Sequence, residues 1–149
     1  VIPVDLTGTL GTDWNEIDSG LMGEWYTFLI LGRGIDPNFQ VDDTTAFAAA
    51  AGWGGDAYQV FQNAATGQSV LVMVTTWDNG SERSEFVQAF RQYGDKRFGV
   101  PAVQEGDDLL WEFTDGFNGL YLDTGVSTIW ILGPDRATVE LVADALSVR

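Results

Sequence analysis

Residues 52–58 read Gly-Trp-Gly-Gly-Asp-Ala-Tyr and divide the chain into two parts of different character. Before them, apolar residues recur at spacings of three and four, which predicts helices; after them, short alternating runs predict mostly strands. The glycines permit positive φ or a close backbone approach, so we predict a turn here. We expect Trp53 to anchor this turn in a core, Gly55 to set its backbone and Asp56 to cap neighbouring N–H groups. Trp53, Gly55 and Asp56 are therefore the candidate binding residues, with a mainly structural role.

Two helices are predicted before this turn. The first begins at Asp13 as N-cap and ends at residues 32–34, because its apolar residues fall on one face. These residues are Trp14, Ile17, Leu21, Trp25, Phe28 and Leu29. The second helix covers residues 42–51, where Asp42 and Asp43 suit the positive end of a helix dipole.

Strands predominate after the turn. A hairpin through Thr66 and Gly67 joins residues 58–63 to residues 69–77, and the second run is apolar on both faces, as in a central strand. A helix is predicted after Asn79, and a last helix after Pro134. Three strands between these helices are predicted at residues 109–114, 119–123 and 127–132.

Together these elements predict an α+β fold, with an antiparallel sheet of about five strands packed with about four helices in the order ααββαβββα. Residues 1–6 are expected to form a short strand or an extended lead-in, residues 7–12 turns, and residues 101–108 a loop. We expect residues 1–149 to form one domain excised from a longer protein, since the chain starts without Met and ends just after a helical pattern.

The charge of the chain limits its partners. There are 22 acidic and 7 basic residues among 149, which gives a net charge of −15. A field of this sign repels nucleic acid and anionic membranes, so we predict no nucleic-acid partner. No apolar run reaches about 18 residues, so no direct membrane insertion is predicted. Oligomeric state stays open.

The chain contains no His and no Cys. This excludes a Ser-His-Asp triad, thiol nucleophiles, disulfides and ordinary zinc or copper sites from this segment. We therefore predict no catalytic residue, no metal ligand and no cofactor, and we expect that the segment is not an enzyme.

Carboxylates were the remaining candidates for chemistry. Asp13, Glu16 and Asp18 form an acidic cluster in residues 13–18. This segment has the first two ligand positions of a calcium loop, at Asp13 and Asn15, but Ile17 occupies the third, so helix capping is the preferred interpretation. Glu112 stands in a strand between two aromatic residues, where it would suit a sugar cleft. No pattern positions a second carboxylate beside it, so a wet strand face is the preferred interpretation.

Basic and aromatic residues each leave two interpretations open. The helix after Asn79 carries four basic residues, which either balance nearby carboxylates, as we prefer, or form an interaction surface. They are Arg83, Arg91, Lys96 and Arg97. Tryptophans either fill the core, as we prefer, or line a ligand pocket. The relevant positions are Trp25, Trp53, Trp77, Trp111 and Trp130.

Residues 49–58, Ala-Ala-Ala-Gly-Trp-Gly-Gly-Asp-Ala-Tyr, are followed by Thr-Thr-Trp-Asp at 75–78 and Ser-Glu-Phe at 84–86. This pattern resembles the C-terminal region of uncharacterised exported bacterial proteins, mainly of Chloroflexi, whose upstream part looks like a zinc metallopeptidase. The likeness covers about residues 10–90. Ala57 replaces the Arg that is usual in those proteins, so any role of that Arg is absent here.

The resemblance implies a non-catalytic accessory or interaction domain that packs beside a peptidase-like domain of the same polypeptide. It also implies an extracytoplasmic or cell-surface location. The alternative is a stand-alone module that binds a small molecule or a carbohydrate in a cleft between sheet and helices.

Overall fold

An antiparallel seven-stranded sheet runs through the part of the chain that the computed structural model describes, residue 1 and residues 4–148. The strands are β1 (Trp14–Gly20), β2 (Trp53–Asn63), β3 (Ser69–Trp77), β4 (Val103–Glu105), β5 (Asp108–Phe113), β6 (Gly116–Leu122) and β7 (Ser127–Gly133). Their order across the sheet is β1-β2-β3-β7-β6-β5-β4, so β1 and β4 are the edges.

Helices cover both faces of this sheet. Within the described residues they are α1 (Thr7–Leu10), α2 (Gly23–Gly32), α3 (Asp43–Ala51), α4 (Gly80–Phe98) and α5 (Arg136–Ala145), with a 3₁₀ turn at Pro37–Phe39. One buried cluster joins α2, α3 and α4 to one face of the sheet, and a second joins α1 and α5 to the other. The α+β class with an antiparallel sheet is thus confirmed, with more strands and helices than the five and four expected.

Strand β3 shows why both faces are buried. Met73 and Trp77 belong to the cluster under α2, α3 and α4, whereas Val70 and Val72 belong to the cluster under α5. Because successive side chains of a strand point to opposite faces, a run that is apolar at every position needs cover on both sides. The prediction of a covered central strand is confirmed.

The prediction of one long helix from Asp13 to residues 32–34 was wrong for its first half. Residues 14–20 form the edge strand β1, which pairs with β2 and has a bulge between Glu16 and Asp18. Asp13 is therefore not an N-cap, and its carbonyl instead accepts a hydrogen bond from Ala64 N–H. Ile17 and Leu21 are 56% and 72% exposed, so their helix-like spacing does not mark a buried face. Only Gly23–Gly32 is helical.

Helices α3, α4 and α5 lie close to where they were predicted. Helix α3 is capped by Asp42, α4 by Asn79 and α5 by Asp135, each through a side-chain oxygen that accepts from backbone N–H groups. The hairpin and the three later strands are confirmed.

Two short elements were missed. Helix α1 lies where turns were expected, and the three-residue strand β4 lies within the predicted loop 101–108. Residues 4–6 form no strand, and residues 2 and 3 of the predicted lead-in lie outside the described residues.

Candidate functional site

The glycine-rich segment is the start of a strand and not the predicted turn. Trp53 already pairs with Trp77 of β3, and the ladder then skips one residue before Gly55. Gly55 has φ +150, a region that favours glycine, so it accommodates this bulge. Gly55 therefore has the positive φ that was predicted, but at a bulge in a strand and not in a turn; the chain reverses at Gly52, the C-cap of α3.

Asp56 holds the N-terminus of α2 against the sheet. Its carboxylate is 1% exposed and accepts hydrogen bonds from Met22 N–H and Gly23 N–H, both at 2.7 Å. The Trp53 indole N–H donates to the same carboxylate at 2.9 Å. A negative charge stabilises a helix N-terminus, because the first N–H groups there lack helical partners. Asp56 thus accepts from backbone N–H groups, as predicted, but these groups are not its neighbours in sequence: they lie 33 and 34 residues away.

Helix α2, held in this way, forms one wall of an open cleft over the sheet. The C-terminal half of α4 and the loop after α2 also line it. The volume is about 530 Å³. We call this space the Arg97 cleft; it is lined mainly by Met22, Ile30, Leu71, Tyr93, Arg97 and Trp130.

Arg97 is the cationic group of this cleft. Its guanidinium donates from Nη1 to the Tyr93 hydroxyl at 2.6 Å and lies 5.2 Å from the Phe98 ring centre and 6.0 Å from that of Trp130. Among the described residues, no carboxylate oxygen lies within 4 Å of it. The aromatic rings stabilise the half-buried charge through their electron-rich faces.

Tyr93 is the second polar group at the cleft. It is 5% exposed, and burial raises the pKa of its phenol above the usual value, against a smaller opposite effect of Arg97. The phenol is therefore protonated near neutral pH. Because its oxygen accepts from Arg97, its own hydrogen is free to point toward another acceptor.

A second cavity of about 500 Å³ adjoins the first and shares Phe39 and Arg97 with it. Its walls are more polar, with Gln68, Ser69 and Asp115 among them. Arg97 therefore stands between an apolar space and a polar one.

An exposed aromatic surface lies on the outer side of α2 and α3. Trp25 is 60% exposed and Phe47 51% exposed, and Phe28 lies between them with ring centres at 5.2 and 3.9 Å. Such a group of large exposed apolar side chains is typical of a contact surface.

The carboxylate candidates do not assemble into a site. Across residues 4–148 no three acidic side chains come close enough together to hold a metal ion. Glu16, in the segment with part of a calcium-loop spacing, instead accepts a hydrogen bond from Gln59 Nε2 at 2.8 Å. Glu112 is exposed on β5 and lines neither cavity, so it lacks the cleft that a glycoside hydrolase needs.

The core interpretation of the tryptophans is confirmed for Trp77, Trp111 and Trp130, and the ligand-pocket interpretation stays a prediction. Trp77 and Trp111 are fully buried in the core, whereas Trp130 is buried and also lines the Arg97 cleft. Trp53 is half-buried against the core, and Trp25 is exposed.

The charge-balance prediction for the basic helix is confirmed for Arg83, which lies 3.7 Å from Asp123, and wrong for Arg97. Sequence reasoning did not single out the pair Tyr93 and Arg97. Their spacing of four on one helix, next to Phe98, was the available signal.

The fold and the cleft define an α+β domain that has an aromatic, arginine-bearing cavity and lacks the imidazole and thiol groups of common active sites. No helix among the described residues is long and apolar enough to cross a membrane. The chain belongs to a family described as a domain of unknown function, DUF8575, whose model matches residues 10–143. No curated protein matches the chain, and no solved structure matches it.

Proposed function

We propose that this domain is a non-catalytic binding module that holds a small, largely apolar molecule in the Arg97 cleft. The observation that carries the proposal is the cleft itself. Its volume of about 530 Å³ falls within the range of ligand pockets, roughly 300–1,000 Å³. Its walls are mostly apolar. Tyr93, Arg97 and Asp36 are its polar side chains, and of these Tyr93 and Arg97 supply the donors that orient a ligand in such sites.

The groups around the cleft favour binding over catalysis. The chain has no His or Cys to act as base or nucleophile. Asp36 lines the cleft, but its carboxylate is engaged as the cap of the 3₁₀ turn, where it accepts from Asn38 N–H at 2.9 Å. General acid–base chemistry needs a group positioned on the reacting atoms, and no pair of such groups converges on the cleft among the described residues.

A neutral fluorescent probe tests this proposal. N-phenyl-1-naphthylamine is apolar and uncharged, so it reports the cleft without help from Arg97. Leu71→Trp puts bulk into the cleft, and Leu141→Trp makes the same change on exposed α5. We expect saturable binding by the wild type, binding at least about tenfold weaker in Leu71→Trp, and no change in Leu141→Trp, since a tenfold loss corresponds to about 1.4 kcal/mol. Absence of saturable binding, or equal binding by all three proteins, would refute the proposal.

The exposed aromatic surface favours a second role, as an accessory domain that contacts another domain of the same polypeptide. Trp25 and Phe47 supply apolar area, and Glu24 beside them adds to the acidic field of the chain, so a covering surface would be apolar at its centre and basic around it. In the setting that the resemblance implies, that neighbour is peptidase-like and the protein is extracytoplasmic. Both roles are compatible, since the surface and the cleft lie on different sides of α2.

Hydroxyl-radical footprinting tests this second role. If a neighbouring domain covers the surface, Trp25 and Phe47 are labelled less in the full polypeptide than in the isolated domain. The exposed Leu141 on the opposite face serves as the internal control. Equal labelling of Trp25 in both samples would contradict the accessory role.

A further inference from the structure

Arg97 differs from the other arginines whose partners the structure shows. Arg33 pairs with Asp43, Arg83 with Asp123, and Arg136 with Glu105 and Glu140. Arg97 is half-buried, yet within the described part of the chain no carboxylate lies within 4 Å of it. In a chain with 22 acidic and 7 basic residues, a cation that is not paired with any of these acids is available to a ligand.

We propose, building on the binding function above, that the Arg97 cleft takes an apolar molecule that carries a single carboxylate. The carboxylate would lie against the Arg97 guanidinium and the Tyr93 hydroxyl. The apolar body would lie along Met22, Ile30 and Leu71, against Trp130.

The donors suit a carboxylate. A guanidinium presents five N–H donors in a planar fork, and only the bond from Nη1 to Tyr93 uses one of them within residues 4–148. The remaining donors match the two oxygens of a carboxylate, which pairs with guanidinium in bidentate fashion. The bond from Arg97 leaves the Tyr93 hydroxyl hydrogen as a further donor beside it. The surrounding rings of Phe98 and Trp130 exclude water from one side, which strengthens the charged contact.

The charge of the whole domain limits the ligand to one negative group. A field from a net charge of −15 opposes every added anionic charge, and one guanidinium offsets one of them. Phosphate esters and dicarboxylates would bring a second charge without a second cation in the cleft. A monocarboxylate with a large apolar body gains the most from apolar walls and a single arginine.

Displacement of N-phenyl-1-naphthylamine by dodecanoate and by dodecan-1-ol tests this inference, since the two competitors share a chain and differ in head group. Three variants accompany the wild type. Arg97→Gln removes the cation, Arg91→Gln removes the same charge from an exposed position of α4, and Tyr93→Phe removes only the hydroxyl. Circular dichroism melting confirms that each variant is folded.

We expect the wild type to bind dodecanoate about tenfold or more tightly than dodecan-1-ol, because hydrogen bonds to a charged group are the stronger kind. Arg97→Gln should lose this preference, because its affinity for the acid falls at least about tenfold more than its affinity for the alcohol when the charged contact is removed. Arg91→Gln should keep the preference, and Tyr93→Phe should weaken it several-fold. If Arg97→Gln does not fold, Tyr93→Phe carries the same test.

Two outcomes would overturn the inference and leave the binding function in place: equal affinity of the wild type for acid and alcohol, or an acid preference that survives in Arg97→Gln. Failure of both competitors to displace the probe, with probe binding itself unaffected by Leu71→Trp, would refute the binding function as well.

Discussion

Replacing Asp56 removes the contact that fixes α2 on the sheet. The carboxylate accepts three hydrogen bonds, from Met22 N–H, Gly23 N–H and the Trp53 indole, at 2.7, 2.7 and 2.9 Å. Asp56→Ala leaves all three donors without this acceptor. A donor left unsatisfied in a buried place costs about 1–3 kcal/mol, and these donors are only partly buried, so the low end applies. We expect Asp56→Ala to lower the free energy of unfolding by about 3 kcal/mol.

Two further variants separate the contributions. Trp53→Phe keeps a ring in place and removes one donor, so it should cost about 1 kcal/mol. Asp107→Ala removes a carboxylate of the same kind at an exposed position and should stay within about 0.5 kcal/mol of the wild type.

Urea unfolding followed by tryptophan fluorescence measures these differences at fixed ionic strength. A midpoint that shifts at constant slope reports stability alone. A loss for Asp56→Ala no larger than that for Asp107→Ala would refute the role of Asp56 as the anchor of α2. A lowered slope would show that the compactness of the native or the unfolded state has changed, or that unfolding is no longer two-state.

Two other perturbations test packing and capping. Gly94 of α4 packs against buried Trp111, and an added Cβ would lie 2.6 Å from the Trp111 ring. Gly94→Ala should therefore destabilise the domain by about 1–2 kcal/mol, despite the better helix propensity of Ala. The matched variant Gly80→Ala, where an added Cβ meets open space, should not destabilise it, and equal urea midpoints for both variants would contradict this prediction. Asp42 caps α3, and hydrogen bonds from Thr45 hold the pKa of its carboxyl below the usual 3.8. A carboxyl group whose pKa is lower in the folded than in the unfolded protein stabilises the fold at pH values above its unfolded-state pKa. This stabilisation is lost as the pH falls through the folded-state pKa. Asn also caps helices but does not titrate. When the pH falls from 5 to 2, the melting temperature of Asp42→Asn should therefore fall less than that of the wild type. An equal fall in both proteins would contradict this contribution of Asp42.

Most elements of the fold were predictable because their signals are local. The spacing of apolar residues and the cap at Asn79 defined α4, and Thr66-Gly67 between two alternating runs defined the hairpin of β2 and β3. In each case residues close in sequence make the contacts that form the element, so the pattern of side chains reports it directly.

Strand β1 was missed because its identity depends on a partner far along the chain. Its side chains are nearly all exposed, so the segment lacks the alternation of apolar and polar residues that marks a strand with one buried face. Ile17, at the bulge, also stands three residues after Trp14, which is a helical spacing. Only pairing with β2, some 40 residues later, makes this segment a strand.

Local sequence patterns could not predict the Arg97 cleft either. Its walls come from α2, β3, α4 and β7, and the space exists because two helices stand apart over the sheet. Sequence placed Arg97 among the basic residues of α4, without showing that it borders one cavity together with Tyr93.

By itself, the sequence determined the α+β class, the covered central strand, the helices α3, α4 and α5, and the exclusion of imidazole and thiol chemistry. These follow from composition and from the burial of one face of each element. The tertiary structure alone decided that β1 is a strand, that Asp56 caps a helix more than thirty residues away, and that Arg97 faces a cavity without an acidic partner among the described residues. The physical reason is that periodicity records which side of an element is buried, whereas hydrogen bonds and cavities between elements depend on where those elements come to lie.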